Sequence, residues 1–257
     1  MKSALQLYTV RGEMAKDFWG TLNKVAEIGF KGVEFAGYFD QDLKEIRKFL
    51  DDHGMVCCSS HLEMPTEENA DRICAELDIL GTKNWVGNAW PTKRGIMDPF
   101  AAYLKGAELL SERGFNMIMH NHFWEFEKKI DGVPFYEFAL EEIPELYSQL
   151  DCCWSYVGGF DPVERIKTYD DKIILLHTKD CVMKYEQLDS ENKDFIRKYT
   201  ISQCANGNGE VGIKACVQAS SAEWAIVELD DFNGNMWDAV KDSYKFLNEC
   251  GVDGCPY

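Results

Sequence analysis

The chain has 257 residues, with 27 Lys and Arg against 44 Asp and Glu, a formal charge of −17. A field of that sign repels nucleic acid and anionic membranes, so neither is expected as a partner. The length suffices for one substantial core, predicts a single domain over residues 1–257, and lies near the roughly 250 residues of an eight-fold β/α barrel. No apolar run approaches the roughly 20 residues that span a bilayer, and no basic segment with an apolar core opens the chain. A cytoplasmic location is therefore expected. Ten cysteines are present, but Cys57-Cys58 and Cys152-Cys153 are adjacent pairs inside apolar runs and no C-x-x-C spacing occurs. They read as reduced core thiols.

In chain order, Leu5 to Tyr8 reads as a strand, and an amphipathic stretch from Asp17 to Ile28 stops at Gly29, a helix C-terminal signal. Val33 to Phe35 and a helix from Asp42 to Asp52 follow, then Met55 to Ser60 and a helix from Glu67 to Leu80 stopped by Gly81. Asn84 to Val86 is the fourth strand, after which Asp98-Pro99 opens a helix running to Arg113. The rhythm continues with the strands Phe115 to His120, Tyr147 to Asp151 and Ile173 to His177, separated by helices near Pro134 to Glu142 and Asp161 to Thr168. A polar excursion from Cys181 to Gly209 reads as a long loop with a helical piece. A short helix, the strand Trp224 to Glu228 and a closing helix from Met236 to Cys250 complete the count. Alternation of this kind implies a parallel sheet. Eight units without a glycine-rich dinucleotide turn favour closure into a (β/α)₈ TIM barrel over an open doubly wound sheet.

In such a barrel the active site lies at the carboxyl ends of the strands. The residues there are Gln6 and Tyr8, Glu34, His61, Asn88 and Trp90, His120 and His122, Asp151, His177 with Lys179, and Glu228 with Asp230. The i, i+2 spacing of His120-Asn121-His122 sends both imidazoles to one face of a strand. Two carboxylates and one or two neutral imidazoles make a mixed oxygen and nitrogen shell with room for substrate oxygens. His120, His122, Asp151, His177 and Glu228 are thus the candidate ligands of one divalent ion, Mn²⁺ first, with Co²⁺, Fe²⁺, Zn²⁺ or Mg²⁺ as alternatives. The bland reading of an aspartate at a strand end is a helix cap.

The segments Leu5-Gln6-Leu7-Tyr8-Thr9-Val10-Arg11, Gly32-Val33-Glu34, His120-Asn121-His122-Phe123-Trp124-Glu125-Phe126, Leu150-Asp151 with Trp154 and Gly158-Gly159, His177-Thr178-Lys179-Asp180 and Ala225-Ile226-Val227-Glu228-Leu229-Asp230 carry a resemblance. In their order along the chain they resemble the xylose isomerase-like sugar isomerase and epimerase family, sugar phosphate enzymes included. The resemblance implies a (β/α)₈ barrel and a divalent ion held from strands five to eight, by Asp151, His177 and Glu228 in this chain. Many epimerases of the family have Glu on strand five. This chain is similar instead to a His-Asn-His branch, which leaves one histidine free to act as a base.

The implied chemistry is chelation of a substrate carbonyl and neighbouring hydroxyl while an α-proton is removed, giving an enediolate. Return of the proton to the adjacent carbon isomerises, return to the opposite face epimerises, and loss of a β-leaving group eliminates. The first reading is a metal-dependent isomerase or epimerase of a keto-sugar or related polyol. The second is a lyase or dehydratase acting on a keto-sugar, inosose or 3-keto-glycoside, and a non-catalytic sugar-binding subunit is the reading from another class. His120, His122, Lys179 and Glu228 are the candidate catalytic groups. Lys179 would support the oxyanion, unless it forms a surface salt bridge with Asp180 or a neighbour. Gln6, Glu34, His61, Trp90 and Trp154 are the candidate substrate contacts, with Glu34 and His61 alternatively orienting a ligand. An amidohydrolase is disfavoured because its His-x-His lies on the first strand, and an abasic-site endonuclease because the chain is acidic. No phosphate loop is visible, so an unphosphorylated carbohydrate is expected. No dimer motif is visible either, and a homodimer or second subunit stays open.

Overall fold

The apolar runs become eight parallel strands that close on themselves, each hydrogen-bonded to its neighbours in the order one, eight, seven, six, five, four, three, two. They span Lys2–Gln6, Gly32–Phe35, Val56–His61, Asn84–Gly87, Asn116–His120, Leu146–Asp151, Ile173–Thr178 and Trp224–Val227. With helices between them this is the expected (β/α)₈ barrel. The computed structural model describes residues 1–89, 98–185 and 199–254. No helix among them is long and apolar enough to cross a membrane.

The helices start and stop where local chemistry dictates. Asp17, Asp42, Asp98 and Asp161 each accept a backbone N–H of the first helical turn, satisfying donors that have no partner inside the helix. The second helix, Phe18–Ile28, ends at Gly29 with φ 111°, a left-handed conformation that a side chain would strain. Gly32 has a different reason to be glycine. A Cβ there would lie 2.8 Å from the Trp224 ring, which packs across it.

Two elements depart from the sequence expectation. The first strand runs from Lys2 to Gln6 instead of Leu5 to Tyr8, and Leu7–Val10 turns into a 3₁₀ helix whose entry is capped by the Gln6 side chain accepting from Tyr8 N. The polar excursion after Cys181 carries no helical piece among its described residues. It contains an antiparallel ribbon pairing Asp180–Tyr185 with Tyr199–Cys204. Asp180, far from pairing with Lys179, accepts the backbone N–H groups of Gly207, Gly209 and Val211 and so pins the return of that ribbon. All nine cysteines among the described residues are free, and all but Cys204 are buried.

The interior of the barrel is layered. Ala4, Cys58, Val86, Ile118, Leu175, Trp224 and Ile226 form one buried apolar cluster that plugs its lower half. Two residues further along the same strands stand Gln6, His120, His177 and Glu228, all buried. Because side chains alternate across a strand, a step of two keeps the same face and rises about 6.6 Å. The chain thus passes from apolar plug to polar rim in one step.

Candidate metal centre

Strand register brings the rim residues side by side. Asp151 pairs with His177, His177 with Ile226, His120 with Gln149 and Gln6 with Glu34. One ligand-capable atom from each of His120, Asp151, His177 and Glu228 lies within 4.8 Å of all the others. A second such group, His61, His120 and His177, shares two of these residues. The His120 and His177 ring centroids are 4.8 Å apart, and His61 stacks parallel to His177 at 5.9 Å.

His177 Nδ1 lies 2.8 Å from Glu228 Oε2 and 3.7 Å from Asp151 Oδ2, yet none of these three buried atoms makes a well-aligned hydrogen bond. The Lys179 ammonium faces the two carboxylate oxygens but not the imidazole nitrogen, and a metal cation is the ligand that takes two carboxylates and an imidazole together. The residues therefore fit a divalent ion. Asp151 is also a helix cap, with Oδ1 accepting from Trp154 N at 2.8 Å while Oδ2 faces the cluster. The helix-cap reading thus holds for Oδ1, while Oδ2 belongs to the donor cluster.

Lys179 supplies a cation of its own. It is fully buried, its ammonium 2.7 Å from Asp230 Oδ2, 2.8 Å from Glu228 Oε2 and 3.1 Å from Asp151 Oδ2. Burial alone would lower its pKa, but the three carboxylates outweigh that and raise it well above the usual value. Burial would likewise raise the Glu228 carboxyl, yet Lys179 and His177 hold it well below the ordinary range. For His177 burial is again outweighed, by Glu228 and Glu34, so its pKa rises. His120 and His122 go the other way, lowered first by burial and then by neighbouring cationic groups, His177 for His120 and Lys179 for His122. Both are neutral imidazoles near pH 7.

A cavity of about 640 Å³ opens over the rim, lined by Gln6, Tyr8, His61, Asn88, His120, His122, Glu228 and Asp230 together with backbone and small residues of the loops. His122 faces this cavity but stands outside the four-residue donor group, its ring edge-on to His120 at 4.9 Å. Trp154 backs His122 at 5.7 Å and lies 5.3 Å beneath the Lys179 ammonium, and neither it nor Glu34 is among the residues that line the cavity. Trp90 lies outside the described residues. His53, the fifth histidine, stacks on Phe49 on the exterior.

Sequence reasoning missed Gln149. It is fully buried two residues before Asp151 on the same strand face, and its amide links Glu34 to His120 and His61. The i, i+2 step from Asp151 was the available signal.

Comparison with known proteins matches this architecture. No family model matches the chain. The chain is 22% identical to an inosose dehydratase of Geobacillus kaustophilus (strain HTA426) over 250 residues, 83% of this chain and 76% of that protein. It is similar in structure to a sugar phosphate isomerase/epimerase of Parabacteroides distasonis ATCC 8503, with TM-score 0.72, 20% identity, 97% of this chain and 98% of that one covered. It is also similar to a probable 3-DHS dehydratase of Bacillus anthracis, with TM-score 0.73, 16% identity, and 96% and 99% covered. The resemblance read from the sequence is borne out, since sugar phosphate isomerase/epimerase and xylose isomerase-like barrels are among the structures this chain is similar to.

Proposed function

We propose that this protein is a divalent-metal-dependent isomerase or epimerase of a keto-sugar or related polyol, working by removal of a proton α to a carbonyl. The observation that carries this reading is the convergence of His120, Asp151, His177 and Glu228 beside a polar cavity of sugar size. Those four residues would hold the ion, with Mn²⁺ the first candidate for a mixed carboxylate and imidazole set. When bound, the ion supplies Lewis-acid polarisation of the substrate's carbonyl and neighbouring hydroxyl.

The remaining steps belong to the chain's own side chains. His122 is neutral and open to the cavity, and so is the group that takes the α-proton and returns it. Lys179, its pKa raised by the three carboxylates around it, sets a positive field beside the oxygen that gains negative charge. Gln6, His61 and Asn88 present hydrogen-bonding edges along the cavity wall. The buried barrel floor keeps water from the strand side.

A second reading has its own support. The curated relative is a dehydratase and so is one of the structural neighbours, so α-proton removal followed by loss of a β-hydroxyl is the alternative outcome at the same site. Metal analysis of the purified protein, followed by incubation of keto-sugars and inososes in ²H₂O, tests both. Deuterium at the α-carbon with the carbon skeleton intact supports isomerase or epimerase, and an unsaturated or deoxy product supports dehydratase. Stoichiometric metal without α-exchange in any of them would leave a sugar-binding subunit and overturn the enzyme reading.

A further inference from the structure

One carboxylate of the polar layer is not used by the reaction just described. Glu34 is fully buried, and both of its oxygens are crowded with donors. Oε1 faces Gln6 Nε2 at 2.6 Å, His177 Nε2 at 2.7 Å and His61 Nε2 at 3.0 Å. Oε2 faces Ser59 Oγ and, at 2.5 Å, Gln149 Nε2. Five donor-capable groups converge on its two oxygens, and Gln6, whose Oε1 is committed to Tyr8 N, can only donate, so the carboxylate is the form that accepts from them all. An ionised carboxylate accepts and cannot donate, so every group turned toward it must present a hydrogen. For a side chain with two different faces, that requirement fixes the other face as well.

The consequences run across the barrel. Gln149 must turn its NH₂ to Glu34, which leaves its Oε1 to accept on the far side. There His120 Nδ1 lies at 3.1 Å and His61 Nε2 at 3.2 Å, so both nitrogens carry hydrogens. His177 must donate from Nε2, leaving Nδ1 as the nitrogen that turns to Asp151 and Glu228. Gln6 obeys the same rule, because its Oε1 accepts from Tyr8 N while its NH₂ meets Glu34.

We propose that Glu34, acting directly and through Gln149, is a positioning residue that fixes which imidazole nitrogens carry hydrogens: it sets the Nδ1–H tautomer of His120 and the Nε2–H of His61, and holds a hydrogen on His177 Nε2. His120 is held as the Nδ1–H form with its Nε2 lone pair available, and His177 binds through Nδ1. In its consequence for metal affinity this rests on the ligand set proposed above, whereas the tautomers themselves are a property of the metal-free protein. Glu34 is enclosed by its five partners and touches no substrate.

The test is a long-range ¹H–¹⁵N correlation spectrum of the metal-free protein labelled at histidine, recorded for the wild type, Gln149→Leu and Glu34→Gln, with His120→Gln and His61→Gln to identify signals. In the wild type His120 should show a protonated Nδ1 and an unprotonated Nε2, and His61 a protonated Nε2. Gln149→Leu removes the His120 acceptor and should move that ring toward the Nε2–H form. Glu34→Gln, whose amide both donates and accepts, should mix the tautomers of His61 and His120. Titration with Mn²⁺ alone should show affinity at least about tenfold weaker in both variants, the scale for losing an outer partner of a ligating imidazole. An Nε2–H form of His120 in the wild type overturns the proposal. So do unchanged tautomers in the variants, even if Mn²⁺ binding weakens, because that loss would then be merely structural. If Glu34→Gln does not fold, Gln149→Leu decides. A wild type that shows the expected tautomers but binds no Mn²⁺ would overturn the metal reading and leave Glu34 in its role.

Discussion

Ile118 and His120 stand one above the other on the same strand, and the same two-residue step separates Ala4 from Gln6, Leu175 from His177 and Ile226 from Glu228. Below the step the barrel interior is packed hydrocarbon, thiol and indole, which contributes stability in proportion to the area removed from water. Above it the interior is ionic, with Glu34, Asp151, Glu228, His177 and Lys179 all buried. Bringing those charges out of water costs several kcal/mol per ion before mutual attraction and hydrogen bonds offset it, so this layer is no source of net stability. The fold rests on the plug and on the sheet–helix core. The rim is free to be arranged for chemistry.

The largest effect expected from this division is loss of metal without loss of fold. Asp151→Asn keeps an oxygen to cap the helix Cys152–Val157 but removes the charge at Oδ2, and should abolish stoichiometric Mn²⁺ binding while the circular dichroism spectrum is retained. Glu228→Ala should do the same. Unchanged metal content in either variant would remove that residue from the ligand set.

His122→Gln sharpens the comparison within the rim itself. If His120 is a ligand and His122 the base, the variant should retain Mn²⁺ while α-deuterium exchange slows by about 10²-fold or more. His120→Gln should instead lose metal. Full exchange in both single variants would exclude the pair from the chemistry.

In the plug the signs reverse. Ile118→Ala removes a fully buried side chain from a closed interior and should cost about 2–5 kcal/mol in urea unfolding, with Mn²⁺ stoichiometry preserved in the protein that remains folded. A cost below about 1 kcal/mol would mean that the lower layer is not the packed support described here.

What the sequence disclosed follows the same line between the layers. Strands such as Phe115 to His120 and Ile173 to His177 were legible because short continuous apolar runs end in imidazole groups, and a parallel barrel collects such ends on one rim. The start of the first strand was misplaced because no turn residue separates Gln6 from Leu7, and the apolar run continues into the 3₁₀ turn. The ribbon of Asp180–Tyr185 and Tyr199–Cys204 was missed because the strongly charged stretch 186–198 between its strands makes the whole segment read as a polar loop. Gln149 was invisible for a chemical reason. A neutral amide neither binds such metals well nor titrates, and its importance arises only from the register that sets it between Glu34 and His120.

The smallest expected effect concerns Glu125, a buried acid in the apolar surroundings of the rim and not in its ionic cluster. Its Oε2 accepts His122 N at 2.8 Å, while Oε1 has no hydrogen-bond partner, and burial raises its pKa well above the ordinary value. The folded protein therefore retains this proton over a pH range in which the unfolded chain, with a carboxyl near 4.3, has lost it. Below about pH 4 both states hold the proton and the group contributes no pH dependence. As pH rises through the unfolded value the folded state binds more protons than the unfolded, so stability falls, by at most about 1.4 kcal/mol per pH unit, until the folded pKa is passed. Glu125→Gln keeps a carbonyl for His122 N and cannot titrate, so it escapes that loss. Its unfolding free energy relative to wild type should be near constant below pH 4 and rise steadily, toward greater relative stability of the variant, between pH 5 and 7, read from paired urea titrations. Parallel curves across that range would show that Glu125 ionises in place, and that its neighbourhood is as polar as the cluster it stands beside.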